Sequence, residues 1–282
     1  MSHSVKSFIK LTSFELERIS KVFFGLIGFT LISNLIGYIF PILRFNQDIE
    51  EYMISQNISV EMAHDALGPF SFDRVLNSGW IAFPIVIGVT SIGLYALFTW
   101  YREWFGKNTF AYRLFMLPVP RTQVFFSKLV TIYIGIYSLI AVQMLSVFGG
   151  YQLTNWLIAD AVMDPNPLIS LIHSNFLFAY LFPVDTGLYF TINLIGLTGI
   201  LVVFTIILLE RSYALKGFGL GLMYAGFVIV LGILPHFIGE FAGNRYLLFY
   251  SELMIITYIL LALASIGSII WSRHLINRKI TI

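Results

Sequence analysis

The chain has 282 residues, of which 58% are hydrophobic, 17% aromatic and 11% charged, and its mean hydropathy is +0.84. A soluble domain carries about 25% charged residues, so this chain has too little charge to cover a soluble surface, and secreted, cytosolic and disordered classes are excluded. A net charge of +2 gives no general field for gripping nucleic acid, and the absence of cysteine removes disulfides, thiolate metal sites, iron–sulfur clusters and cysteine nucleophiles.

Residues 1–21 read as a cytoplasmic helix lying in the membrane interface. Thr12 and Glu15 have capping-box spacing, and Glu17 with Lys21 forms a favourable i,i+4 pair. Phe8, Leu11 and Phe14 would face lipid while Lys6, Lys10 and Arg18 meet headgroups. Phe14, Glu15 and Arg18 mark this helix, as anchor or as partner contact. No small-residue cleavage site follows the first apolar run, so a cleaved leader is not expected.

Six apolar runs follow, each near the length of about 20 residues that a bilayer core requires: Val22–Phe40, Trp80–Trp100, Phe125–Gly149, Thr186–Leu209, Gly217–Leu234 and Leu253–Trp271. Unbroken apolar runs exclude the alternation of a barrel and predict an all-α membrane protein. The expected layout is a six-span domain over 22–272 with outer loops 41–79, 150–185 and 235–252. A cytoplasmic loop covers 101–124 and a tail 273–282. Pro167–Phe182 is a seventh apolar stretch, interrupted by His173, Ser174 and Asn175, and reads as interfacial or re-entrant. Of the long loops, Pro41–Asn77 reads equally as a folded cap or a solvated loop, and Tyr151–Val184 as a candidate second cap.

Orientation follows from charge. Fourteen Lys and Arg fall on the side holding both termini, and three, Arg44, Arg74 and Arg245, on the other. The positive-inside bias places both termini in the cytoplasm.

The span centres carry no ionisable side chain. Lys128 lies within about a turn of the surface and can snorkel, and Asp185 sits at a boundary. A proton-coupled carrier therefore has no visible coupling group. Ser33, Asn34, Ser138, Gln143, Thr191, Asn193, Thr198, Thr205, Ser265 and Ser268 read as helix-to-helix hydrogen bonds. Gly217, Gly221 and Ala225 stand four apart, a small-residue packing face on the fifth run. No phosphate loop, zinc-protease helix motif or nucleophile elbow occurs, so no catalytic residues are assigned. The five His are scattered, and no metal site is expected.

The loop after the second run is the informative segment. From Asn108 or Thr109, which can cap a helix, to the stop at Pro118 and Pro120, Phe110, Leu114 and Leu117 share one face. Tyr112, Phe115 and Met116 fill much of the rest, and Arg113 is the only charge. A helix apolar nearly all round needs cover on most sides. Lipid covers one face, so Tyr112, Phe115 and Met116 are expected to fill a groove in a partner protein. The competing reading sinks the helix beneath its own spans.

The stretch from Lys107 to Lys128 resembles the cytoplasmic loop of type-2 ATP-binding-cassette (ABC) exporter permeases. Thr109, Leu114, Leu117, Pro118, Val119, Arg121 and Lys128 match that pattern, whereas Phe115 stands where a second Leu is common and Pro120 where Ser is common. The resemblance implies a short coupling helix that docks in a separate cytoplasmic ATPase subunit through Lys107, Asn108, Thr109, Phe110, Tyr112, Arg113, Leu114, Phe115, Met116 and Arg121. It implies a second permease, identical or related, in a bacterial plasma membrane. ATP and Mg would sit in the partner, with no cofactor in this chain. Thr90, Ser91, Tyr95 and Tyr224 become candidates for the translocation path, and an amphipathic cargo such as a peptide, antibiotic or lipid-like compound is expected. The alternative is a non-transporting scaffold or sensor whose loop helix docks a signalling protein.

Overall fold

The structure, a computed structural model, describes residues 3–104, 114, 116, 119–158, 163, 164, 166–241 and 249–280. In chain order the helices are α1 (His3–Gln56), α2 (Val60–Leu67), α3 (Asp73–Leu76), α4 (Gly79–Trp104), α5 (Arg121–Leu157), α6 (Leu168–Ser174), α7 (Phe176–Leu181), α8 (Thr186–Phe241) and α9 (Tyr250–Arg278). Among the described residues there is no strand, only an isolated bridge between Phe70 and Met163. Among the described residues five helices, α1, α4, α5, α8 and α9, are long and apolar enough to cross a membrane.

One expectation changes here. Residues 3–21 do not form a separate surface helix but are the first turns of the 54-residue α1. Nothing in that stretch breaks a helix, since the first glycine is Gly25. Thr12 does not cap: its hydroxyl donates to the Phe8 carbonyl one turn back, at 3.0 Å. The fourth and fifth apolar runs, expected as separate helices, are two helices joined end to end within the 56-residue α8.

α8 is nonetheless not straight. Two helical segments meet at Ala214, whose φ of 54° and ψ of −137° are non-helical. Along the first segment, Thr191 pairs with Tyr258, Thr198 with Ser265 and Thr205 with Ser272, a register that rises along α9. Past the bend, Tyr224 bonds Ser268 while Gly232 faces Leu261, a register that falls. The chain therefore reverses direction at Ala214. The close approach of the segments explains the glycines: a Cβ on Gly217 would overlap the Leu209 carbonyl oxygen, and one on Gly221 would sit 3.0–3.2 Å from Ile206.

The described residues divide into two compact units, one of 1–17, 92–133 and 185–282 and the other of 18–91 and 134–184. The first is centred on edge-to-face contacts of Phe204 with Trp100 and Phe125, ring centres 5.7 and 5.4 Å apart. Threonine and serine hydroxyls tie α8 to α9 at seven-residue steps, Thr198 to Ser265 at 2.9 Å and Thr205 to Ser272 at 3.0 Å.

In the second unit α1 and α5 run parallel, with the Asn34 amide donating to Gln143 at 3.0 Å and to Ser146 at 2.9 Å, and Tyr38 bonding Ser146 at 3.0 Å. The expected loops are largely helical. α1 continues to Gln56 and α5 to Leu157, and with α2, α3, α6 and α7 they enclose one apolar core. Phe45, Phe70, Phe72, Val75, Leu171 and Phe178 are buried in it. The two stretches read as candidate caps thus share a single apolar core. The Asn175 amide donates to Asn77 at 3.0 Å, and the Asp164 amide to the Phe70 carbonyl at 3.0 Å, joining loops about a hundred residues apart.

Candidate functional site

The site with most buried charge gathers where α1 begins, α4 ends and α5 begins. Lys128, one turn into the apolar part of α5, has no solvent exposure. Its ammonium uses all three donors: to Glu15 Oε1 at 2.6 Å, to Glu103 Oε1 at 2.8 Å and to the Thr99 carbonyl at 3.2 Å. Arg102 closes the group from the rim, with Nη2 3.0 Å from Glu15 Oε2 and 3.9 Å from Glu103 Oε1, its side chain 33% exposed. The Trp100 ring centre lies 5.5 Å from the Lys128 ammonium.

Among the described residues two carboxylates face two cations, and these four charges balance. Local sequence explains the layout. On α4, Thr99 and Glu103 stand one turn apart and Arg102 adjoins them; on α1 the unbroken helix carries Glu15 alongside Leu11. Burying a charge without partners costs several kcal/mol, so each member depends on the others. With its three donors engaged, Lys128 is held in place from three sides. The arrangement instead fastens three helix ends together at the root of the 101–124 loop.

Beside it, Leu114 is 4% exposed and packs with Leu11, Val124 and Val119. Leu114 therefore faces this chain's own helices, which removes it from the surface offered to a partner. Met116 is 62% exposed and faces outward. Arg121, also expected at the partner surface, turns inward: its guanidinium donates to the carbonyls of Ile276 at 3.0 Å and Ile280 at 3.2 Å, satisfying acceptors at the end of α9. Lys107, Asn108, Thr109, Phe110, Tyr112, Arg113 and Phe115 lie outside the described residues, as does most of the expected coupling helix.

The other expected residues scatter. Phe14 is 37% exposed and Arg18 half-buried, while Glu15 is withdrawn into the ion cluster. Thr90 is exposed and its hydroxyl donates to Val86 within α4; Ser91 is half-buried. Tyr95 packs its ring 6.0 Å from the Arg102 guanidinium. Tyr224 is committed to α9, bonding Ser268 at 2.7 Å with its ring edge-on to Trp271, so its hydroxyl is not free for cargo. Gly217 and Gly221 take the close approach within α8, and Ala225 packs beside Val202, Val228 and Ala264. No group of His, Asp and Glu suited to a metal ion occurs among the described residues.

Sequence reasoning named Lys128 and Glu15 but gave them other roles, and it did not single out Glu103 or Arg102. A signal was present: only four acids, Glu15, Glu17, Glu103 and Glu210, fall on the side that holds fourteen Lys and Arg. Two of these four complete the cluster. Comparison with protein-family models, with curated proteins and with solved structures finds no match for the chain.

Proposed function

We propose that this chain is the membrane-spanning permease subunit of an ATP-driven exporter, moving an amphipathic substrate and coupled to a separate ATPase through its 101–124 loop. The observation that carries this reading is the anchoring of that loop. Its entry at Arg102 and Glu103 and its exit at Lys128 are pinned to the first turns of α1 by a buried ion cluster, with Leu114 packed on Leu11 beside it. A push on the loop would then reach three helices at once, as a lever requires. The exposed Met116 beside the inward Leu114 supports a two-faced segment, one side seated on the chain and the other offered to a partner.

The membrane topology belongs to the same proposal. We read six crossings with both termini in the cytoplasm, because the chain reverses at Ala214 between two apolar segments and the charge bias then agrees in every loop. A second copy or a related permease would complete the path, with ATP and Mg held by the partner.

The test is purification of the full chain in mild detergent from its own membrane. A separate protein with ATPase activity should accompany it, and Met116→Asp or Phe115→Asp should lower that association about tenfold or more, since a charge is being forced into an apolar groove. Recovery of the chain alone and inert, in repeated preparations, would favour a scaffold or sensor.

A further inference from the structure

A cavity of about 550 Å³ opens at the bend of α8, lined by Tyr101, Glu210, Arg211, Ala214, Leu215 and Phe218. Its chemistry is divided. The Arg211 guanidinium lies 5.3 Å from the ring centres of both Tyr101 and Trp104, so aromatic faces hold it in place. No carboxylate among the described residues forms an ion pair with it. One residue earlier, the Glu210 carboxylate accepts a hydrogen bond from the Tyr101 hydroxyl. At the mouth, Leu215 is 87% exposed and Phe218 42% exposed.

We propose that this cavity binds the headgroup of a zwitterionic phospholipid whose amine is primary. A guanidinium resting on ring faces keeps its N–H edge for a phosphate, which it can grip with two parallel hydrogen bonds. A carboxylate retains acceptor capacity after one hydrogen bond and can take an ammonium, which a quaternary amine could not supply as a donor. An anionic headgroup without an amine would satisfy Arg211 but meet repulsion from Glu210. Exposed Leu215 and Phe218 beside these two charges give the acyl chains a surface, so the ligand is a lipid rather than its free headgroup. The inference rests on reading α8 as two membrane crossings and does not need the export reading.

Native mass spectrometry of the full detergent-purified chain, with phosphatidylethanolamine, phosphatidylcholine and phosphatidylglycerol added in turn, tests it. Phosphatidylethanolamine should bind about tenfold more tightly than either of the others, the difference of one charge-assisted contact. Glu210→Gln should abolish the preference over phosphatidylglycerol, and Arg211→Gln should weaken all three phospholipids about tenfold. Leu215→Asp, at a position too exposed to threaten folding, should lower retention of all three. Equal retention of the three lipids, or variants Glu210→Gln and Leu215→Asp that bind as the parent does, overturns the proposal. Displacement of bound lipid by an equal concentration of O-phosphoethanolamine overturns the lipid assignment. The underlying topology is read separately: a membrane-impermeant maleimide should label Ala214→Cys in opened membranes. Labelling without lipid preference sinks the cavity assignment alone, whereas absence of labelling sinks the two-crossing reading.

Discussion

Lys128 illustrates how one side chain can decide the fate of its neighbours. Its ammonium is fully buried against Glu15 and Glu103, and only Arg102 reaches solvent. Lys128→Met removes one cation and leaves a carboxylate uncompensated in a dry site, so we expect a loss of about 3–5 kcal/mol. The double change Lys128→Met, Glu103→Gln, which leaves Glu15 paired with Arg102, removes the imbalance and should recover more than half of that loss. Thermal unfolding of the purified variants in one detergent, followed by circular dichroism, checks both; equal instability of the single and double variants would show that packing, not charge, is what the cluster supplies. In the sequence Lys128 looked able to snorkel because a lysine near a span end usually can. Its true partners lie 113 and 25 residues away in the chain, and no periodicity joins positions on three different helices.

At the scale of an element, α8 turns on a single strained residue. Ala214 holds a positive φ with a strongly negative ψ, a region that favours glycine. Ala214→Gly should therefore stabilise the chain by about 1 kcal/mol. Gly217→Ala places a methyl group into the Leu209 carbonyl and should cost about 1–3 kcal/mol. Gly219→Ala meets nothing within 4 Å and should be neutral or stabilising by up to about 1 kcal/mol. Unfolding midpoints of the three variants in parallel decide the matter, and an unperturbed Gly217→Ala would contradict the close contact. The small residues were visible in the sequence because four-residue spacing is a property of one helix. Their partner was not, since the spacing is silent about whether they pack on another chain, another helix or the preceding segment. The extent of α1 was also hidden: hydropathy ends at Phe40 and Pro41 follows, but the helix continues to Gln56 with Ile42, Phe45 and Ile49 buried in the shared core.

For the whole molecule, composition was enough to imply an all-helical chain with long apolar helices, because a bilayer leaves the backbone few other solutions. What it could not supply was the joining of distant loops into one core, where no helical or strand period operates. On the six-crossing reading, Val60→Cys should react with an impermeant maleimide added outside intact cells, whereas Leu215→Cys should react only after the membrane is opened. Val60 is 48% and Leu215 87% exposed, so burial cannot explain a failure to label. Both reacting in intact cells would invert or reduce the span count.

The shared apolar core also sets a timetable for biosynthesis. Phe45, Phe70 and Phe72 leave the ribosome well before Phe178, yet all four are buried in the same cluster. At about 5–20 residues per second, the roughly one hundred residues between Phe72 and Phe178 correspond to several seconds or more during which the early aromatics have no permanent cover. A chain interrupted between Leu157 and Leu168 would lack Leu171 and Phe178 and leave the early aromatics permanently uncovered, which makes that interval the natural point for chaperones or quality-control proteases to act.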